Sequence, residues 1–213
     1  MGKKFWIALL LVAVGFMGFL WVDGGKHAAE QNNTSASTAP VTHSTGKQDA
    51  AVTLVEYSDF QCPACGAYYP VVEQIVEKYK GRISFEYRHY PLTTVHHNAF
   101  AAARASEAAS KQGKFWEMYR LLFANQSNWA ELDNPQATFE GYAKRLGLAM
   151  GRYRVDFAGS ETNGAINASI HEFNTRGLPK STPTFLLNGK KIQPRDLQDF
   201  SKIIDAQLKA AQR

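Results

Sequence analysis

The chain has two cysteines, Cys62 and Cys65, set in the stretch Gln61-Cys62-Pro63-Ala64-Cys65. Three chemistries suit such a pair: a structural clip, half of a metal site, or a redox couple. A clip gains little, because a disulfide that closes so short a loop removes little entropy from the unfolded chain. A zinc site needs three or four ligands, and there is no second cysteine pair to complete one. His96 and His97 are adjacent on a helical stretch, so their rings diverge. A redox couple fits the spacing. In a helix that starts at the first cysteine, residues i and i+3 face each other. Cys62 then lies at the positive end of the helix dipole, which favours a thiolate. Thiols in this setting have pKa values of about 3.5–7.5, against about 8.5 for a free cysteine. The thiolate is the species that attacks or leaves in disulfide exchange. Cys65, one turn deeper, is placed to resolve a mixed disulfide formed at Cys62.

That chemistry needs a strand to deliver the turn and a helix to follow it. Ala51–Tyr57 (AVTLVEY) is apolar and β-branched, as a buried strand should be. Ser58–Gln61 reads as a loop. A helix follows from Pro63 to Lys80, with proline in the first turn where its missing N–H costs nothing. Pro70 should kink it and Gly81 should end it. Ile83–Tyr90 (ISFEYRHY) is a second strand. A long helical region comes next. His96–Lys114 is alanine-rich, and Phe115, Tyr119, Leu122 and Phe123 share one helical face. Asn134-Pro135 opens another helix through Leu146, with two short ones up to Thr175. Thr182–Ile192 is a strand, an Asn188-Gly189 turn and a strand. From Asp196 onward an amphipathic helix carries Leu197, Phe200, Ile203, Ile204 and Leu208. The order βαβ, helices, ββα gives an α/β class: a thioredoxin fold over residues 50–213, split by a helical insertion at about 95–176.

The rest of the chain bears on compartment. Lys3 and Lys4 precede an unbroken apolar run from Phe5 to Val22. It is long enough to span a bilayer as a helix. The charge asymmetry puts the amino terminus in the cytoplasm. Residues 1–22 are therefore expected to be a transmembrane signal anchor. The alternative is a cleaved signal and a soluble periplasmic form. Either way the cysteines lie outside the cytoplasm, where disulfides persist. Residues 23–49 are polar and small, and read as a disordered tether reaching about 30 Å. The formal charge of +5 is spread along the sequence without a basic block, which argues against a nucleic-acid partner.

Val55–Cys65 (VEYSDFQCPAC), Ser181–Gly189 (STPTFLLNG) and the helical middle starting at Tyr90 (YPLTTVHHNAFAAARASEAASKQGKFWEMYRLLF) resemble the DsbA-like thiol–disulfide oxidoreductases of bacterial envelopes. The resemblance runs from about residue 50 to the end. It implies Cys62 as nucleophile, Cys65 as resolving thiol and a cis-proline at Pro183 packed against the pair. Thr182 would offer its backbone to a substrate strand. Pro63 and Ala64, between the cysteines, are with Thr182 the candidate substrate-binding positions. Members of the family often carry an acid where Glu56 stands. A buried carboxylate there would have a raised pKa and accept the Cys65 proton; the other reading is a surface glutamate near a strand end. Asp59 is expected in solvent. Phe60, Tyr68 and Tyr69 are either an apolar lip for substrate or core. The side chain of Ala64 offers the thiolate no hydrogen bond.

The resemblance implies an enzyme that introduces disulfides into cysteine-containing exported proteins and is reoxidised by a DsbB-like membrane quinone reductase. The expected protein is a monomer held at the bacterial inner membrane, with its catalytic domain on the periplasmic side. No cofactor or metal is called for, since the disulfide itself carries the two electrons. The alternatives are an anchored disulfide reductase or isomerase, and a non-catalytic chaperone or scaffold that uses the fold as a binding surface.

Overall fold

The computed structural model describes residues 40–212. The apolar run Phe5–Val22 and the polar stretch up to residue 39 lie outside the described residues, as does the anchor read from them. Among the described residues no helix is long and apolar enough to cross a membrane.

The centre of the molecule is a parallel pair of strands, β2 (Thr53–Ser58) and β3 (Ser84–His89), joined by helix α1 (Pro63–Lys78). Glu56 pairs with Tyr87 and Ser58 with His89 in this register. β2 is buried almost throughout, because both sheet faces are covered. Leu54 joins a core with Val72 and Ile75 of α1, while Val55 and Tyr57 on the opposite face meet Phe173. α1 runs through Pro70 without ending there.

After β3 come α2 (Ala99–Ser110), α3 (Phe115–Ala124), α4 (Gln136–Arg145), α5 (Met150–Ala158) and α6 (Ser160–Thr175). This is the helical insertion expected at about 95–176. The last two differ in length: α6 has 16 residues, where a short helix was expected. Alanine makes α2 a strong helix and lets its neighbours come close. Ala102, Ala105, Ala108 and Ala109 of α2 are fully buried. The chain returns through β4 (Thr184–Leu187), a turn with Asn188 and Gly189 both at positive φ, and β5 (Lys190–Ile192). The Asn188 side chain fastens this turn to the start of β2, accepting from Thr53 N at 2.7 Å and donating to Ala51 O at 3.0 Å. α7 (Leu197–Ala210) closes the fold, capped by the Asp196 carboxylate, which accepts from Asp199 N.

One expectation is corrected. The polar stretch read as a tether through residue 49 contains a strand, β1 (His43–Gly46), antiparallel to β3. The sheet order is β1-β3-β2-β4-β5. Four residues without a hydrophobic pattern become a strand because β3 offers a free edge and backbone bonds need no particular side chain. Gly46 ends it at φ +88, where a Cβ would lie 2.5 Å from Ile83 O.

Candidate active site

Cys62 is the N-cap of α1, with extended backbone and no side-chain cap on the helix. Pro63 brings no N–H, so the amides of Ala64 and Cys65 are those that face the Cys62 sulfur. Cys62 is 6 % exposed and Cys65 is fully buried. The Cys65 S–H donates toward Cys62 and is the largest cause that lowers its pKa, to about 5, against the opposing effect of burial. The Thr182 side chain and the two helix amides add to it. So Ala64, whose side chain offers no hydrogen bond, helps through its backbone. Burial and the neighbouring Cys62 sulfur push Cys65 the other way, well above a normal thiol. The two thiols of one turn are thus driven apart: Cys62 toward the thiolate, Cys65 beneath it toward the protonated thiol.

Thr182 and Pro183 come from 120 residues away to stand over this turn. Their peptide bond is cis. Thr182 O lies 3.5 Å from Cys62 Sγ, in reach of the thiol proton. The buried Thr182 hydroxyl has no partner among the described residues. Pro63 and Ala64 are exposed beside it. Pro183, Tyr68, Phe185, Ile192 and Pro194 line a neighbouring cavity of about 280 Å³.

Glu56 lies beneath, on β2, and is 1 % exposed, so the surface reading of this residue does not hold. Burial raises its carboxyl to about 7; the nearby Ser58 hydroxyl, which has no hydrogen-bond partner among the described residues, opposes this and the Cys62 charge adds to it. Its Oε2 has no partner among the described residues. Ser58 is two residues on, on the same sheet face, and its hydroxyl is near both the Glu56 carboxylate and the Cys65 sulfur. The Glu56 carboxyl therefore titrates near neutral pH, close to the Cys65 thiol.

Two features escaped the sequence reading, and the aromatic residues are settled. Asp59 is not solvated: it is 1 % exposed and accepts from Gln61 N at 2.8 Å, Leu92 N at 2.9 Å and His96 Nδ1 at 2.7 Å. Gln61, next to Cys62, is buried and bonds into the insertion, donating to Ala130 O and accepting from Asn98 N, both at 2.6 Å. Phe60 is core, stacked on Tyr87 and packed on Phe123. Tyr69 stacks on the same Phe123, while Tyr68 donates to Pro194 O and lines the cavity beside Pro183.

His43, His89 and Glu107 also converge, all buried. His43 Nε2 is 2.5 Å and His89 Nε2 2.7 Å from the same Glu107 oxygen. Ligands about 2.0–2.1 Å from a tetrahedral zinc would stand about 3.3 Å apart, so these atoms are hydrogen-bonded to one another rather than arranged around an ion. The cluster joins β1, β3 and α2.

Comparison with known proteins agrees with this geometry. A thioredoxin family model matches residues 38–206. The α-DsbA1 of Wolbachia pipientis superposes with a TM-score of 0.70 at 21 % identity, covering 81 % of this chain and 94 % of that one. BdbD from Bacillus subtilis gives 0.69 at 22 %, with the same coverage. A curated relative, a Na(+)/H(+) antiporter NhaA 3 of Salinispora tropica, is 39 % identical over 149 residues, 70 % of this chain. The chain spans only 22 % of the length of that relative. A paired-thiol turn on a sheet covered by an inserted helical layer, and a family match over most of the sequence, lead to one conclusion: the chain belongs to the thioredoxin family, with a DsbA-like fold.

Proposed function

We propose that the protein is a thiol–disulfide oxidoreductase that donates disulfides to exported proteins. The observation that carries this reading is the placement of Cys62 as the N-cap of α1, facing the amides of Ala64 and Cys65, with the Cys65 thiol buried beneath it; this draws Cys62 down to about 5 and pushes Cys65 up. A stabilised Cys62 thiolate favours the reduced enzyme, and so makes its disulfide a ready oxidant.

In the cycle, a substrate thiolate attacks Cys62 Sγ of the oxidised pair. The Cys62–Cys65 bond breaks and a mixed disulfide forms. Cys65 leaves as a thiolate and takes a proton, for which Glu56, protonated near neutral pH, is the nearby donor. A second substrate thiolate then attacks the substrate sulfur, closes the substrate disulfide and expels Cys62 as its thiolate. Two electrons have passed to the enzyme. A DsbB-like membrane quinone reductase would remove them, with Glu56 taking back the Cys65 proton. The Thr182 backbone and the cavity beside Pro183 would hold the extended substrate. Residues 1–22 would anchor the monomer in the bacterial inner membrane, with this domain outside the cytoplasm. The transport activity named for the antiporter relatives is not part of the reading, since the match spans 22 % of such a protein.

Equilibration with glutathione buffers separates donor from reductase. A potential near the oxidising end of the superfamily scale, about −120 mV, is expected; a value near about −270 mV would make the chain a reductant. Cys62→Ser should abolish exchange while leaving substrate binding. Exchange that persists in that variant would remove the mechanism.

A further inference from the structure

Beyond the sulfurs themselves, the turn that carries Cys62 is held from outside. Gln126 opens a short 3-10 turn just after α3, in the helical insertion. Its side-chain amide donates to Phe60 O at 2.7 Å and to Cys62 O at 2.9 Å. The orientation of this amide is dictated by chemistry. Two carbonyl oxygens converge on it, and only the NH₂ end can serve both. The Cys62 carbonyl also accepts from Gly66 N at 3.0 Å, the first hydrogen bond of α1. The other end of the Gln126 amide rests on Gly66. A Cβ at Gly66 would lie 2.5 Å from Gln126 Oε1 and 3.0 Å from its Cδ.

Gly66 is otherwise hard to explain. It sits in the first turns of α1, where glycine is the least favourable residue after proline. It has ordinary helical backbone, since it is not among the glycines with positive φ. What it supplies is the missing side chain.

We propose that Gln126 is a positioning residue for Cys62, clamping the Phe60–Cys62 turn to the helical insertion, and that position 66 is glycine so that the Gln126 amide can lie across the start of α1. The clamp fixes the Cys62 backbone on both sides of Gln61, whose own side chain is bound to Ala130 and Asn98. Residues 60–62 are thereby tied to the insertion by four hydrogen bonds. The thiolate depends on the amides of Ala64 and Cys65 pointing at one place, and the clamp keeps the sulfur there. This inference rests on the oxidoreductase reading of Cys62.

The test follows the rate of Cys62 alkylation by iodoacetamide against pH in the reduced full chain, together with thermal melting. Gln126→Glu keeps the size and replaces the donor with an acceptor. It should raise the alkylation midpoint by about one unit, which is about fivefold less thiolate at pH 5. Gly66→Ala leaves Gln126 intact but displaces its amide, and should give a shift of the same sign and similar size. The double variant should shift no further than either single one, since both break one contact. Helix propensity alone predicts the opposite for Gly66→Ala: a more stable protein with an unchanged profile. That result would overturn the proposal, as would a Gln126→Glu variant that melts lower with a wild-type profile, or shifts that add. Should Gln126→Glu fail to fold, Gly66→Ala decides alone. The wild type keeps the two readings apart: a midpoint near that of a free thiol and no exchange activity would refute the oxidoreductase reading itself.

Discussion

Glu56 and Glu107 are both glutamates buried beside the same sheet, 1 % and 4 % exposed, yet their carboxyls titrate at about 7 and about 2. Burial acts on both in the same direction and would raise each. The difference lies in their partners. Glu107 accepts from His43 and His89, and these bonds outweigh burial. Glu56 has one weak helper in Ser58, a sulfur that becomes anionic above it, and an oxygen without a partner among the described residues. One carboxylate locks three elements together and has nothing left to exchange. The other is left to titrate near neutral pH, close to the Cys65 thiol. For these two glutamates, the number of hydrogen-bonding partners decides whether burial is overruled.

The largest expected effect falls on the scaffold. Glu107→Ala leaves two buried imidazoles without their shared acceptor and should lose about 3–5 kcal/mol in urea unfolding at pH 7. The folded carboxyl titrates below its unfolded value, so the stabilisation is present above about pH 4.5 and is lost as pH falls through about 2. Wild type and variant should therefore converge in acid. If the alkylation profile of Cys62 moved as well, the two regions would not be independent.

Glu56→Gln should behave in the opposite way. The folded carboxyl titrates above its unfolded value, so the native state holds the extra proton and stability falls as pH rises from about 4.5 through about 7. Removing the ionisable group should flatten that fall. The variant should match wild type near pH 4 and exceed it at pH 8, by no more than about 3 kcal/mol. It should also slow formation of the mixed disulfide and reoxidation of the reduced pair, the two steps in which the Cys65 sulfur exchanges a proton with Glu56. Equal stability differences at both pH values would refute the assignment of Glu56.

The site was legible in the sequence where its parts are local. Cys62, Pro63 and Cys65 lie within one helical turn, and their spacing at a strand-to-helix turn points to a redox pair. The strand before them and the Asn188-Gly189 hairpin were equally plain. Distant partners were not. Asp59 looked like a solvated loop acid because Leu92 and His96, which bury it, are more than 30 residues away. Gln61 and Gln126 carry no motif; each matters because of a carbonyl more than 60 residues off. β1 was hidden because His-Ser-Thr-Gly has no alternation, and its pairing is to an edge some 40 residues later. His43 accordingly gave no hint that it would join Glu107.

The account turns on the charge state of one sulfur. The decisive measurement is the absorbance of the reduced full chain at 240 nm, where thiolate absorbs, followed across pH with Cys65→Ala as a second sample. A single Cys62 transition near pH 5 is expected in the wild type, moving upward in Cys65→Ala because the neighbouring S–H donor that lowers it most is gone and alanine offers no other. A wild-type transition near pH 8.5, the value of a free cysteine, would contradict the mechanism at its root.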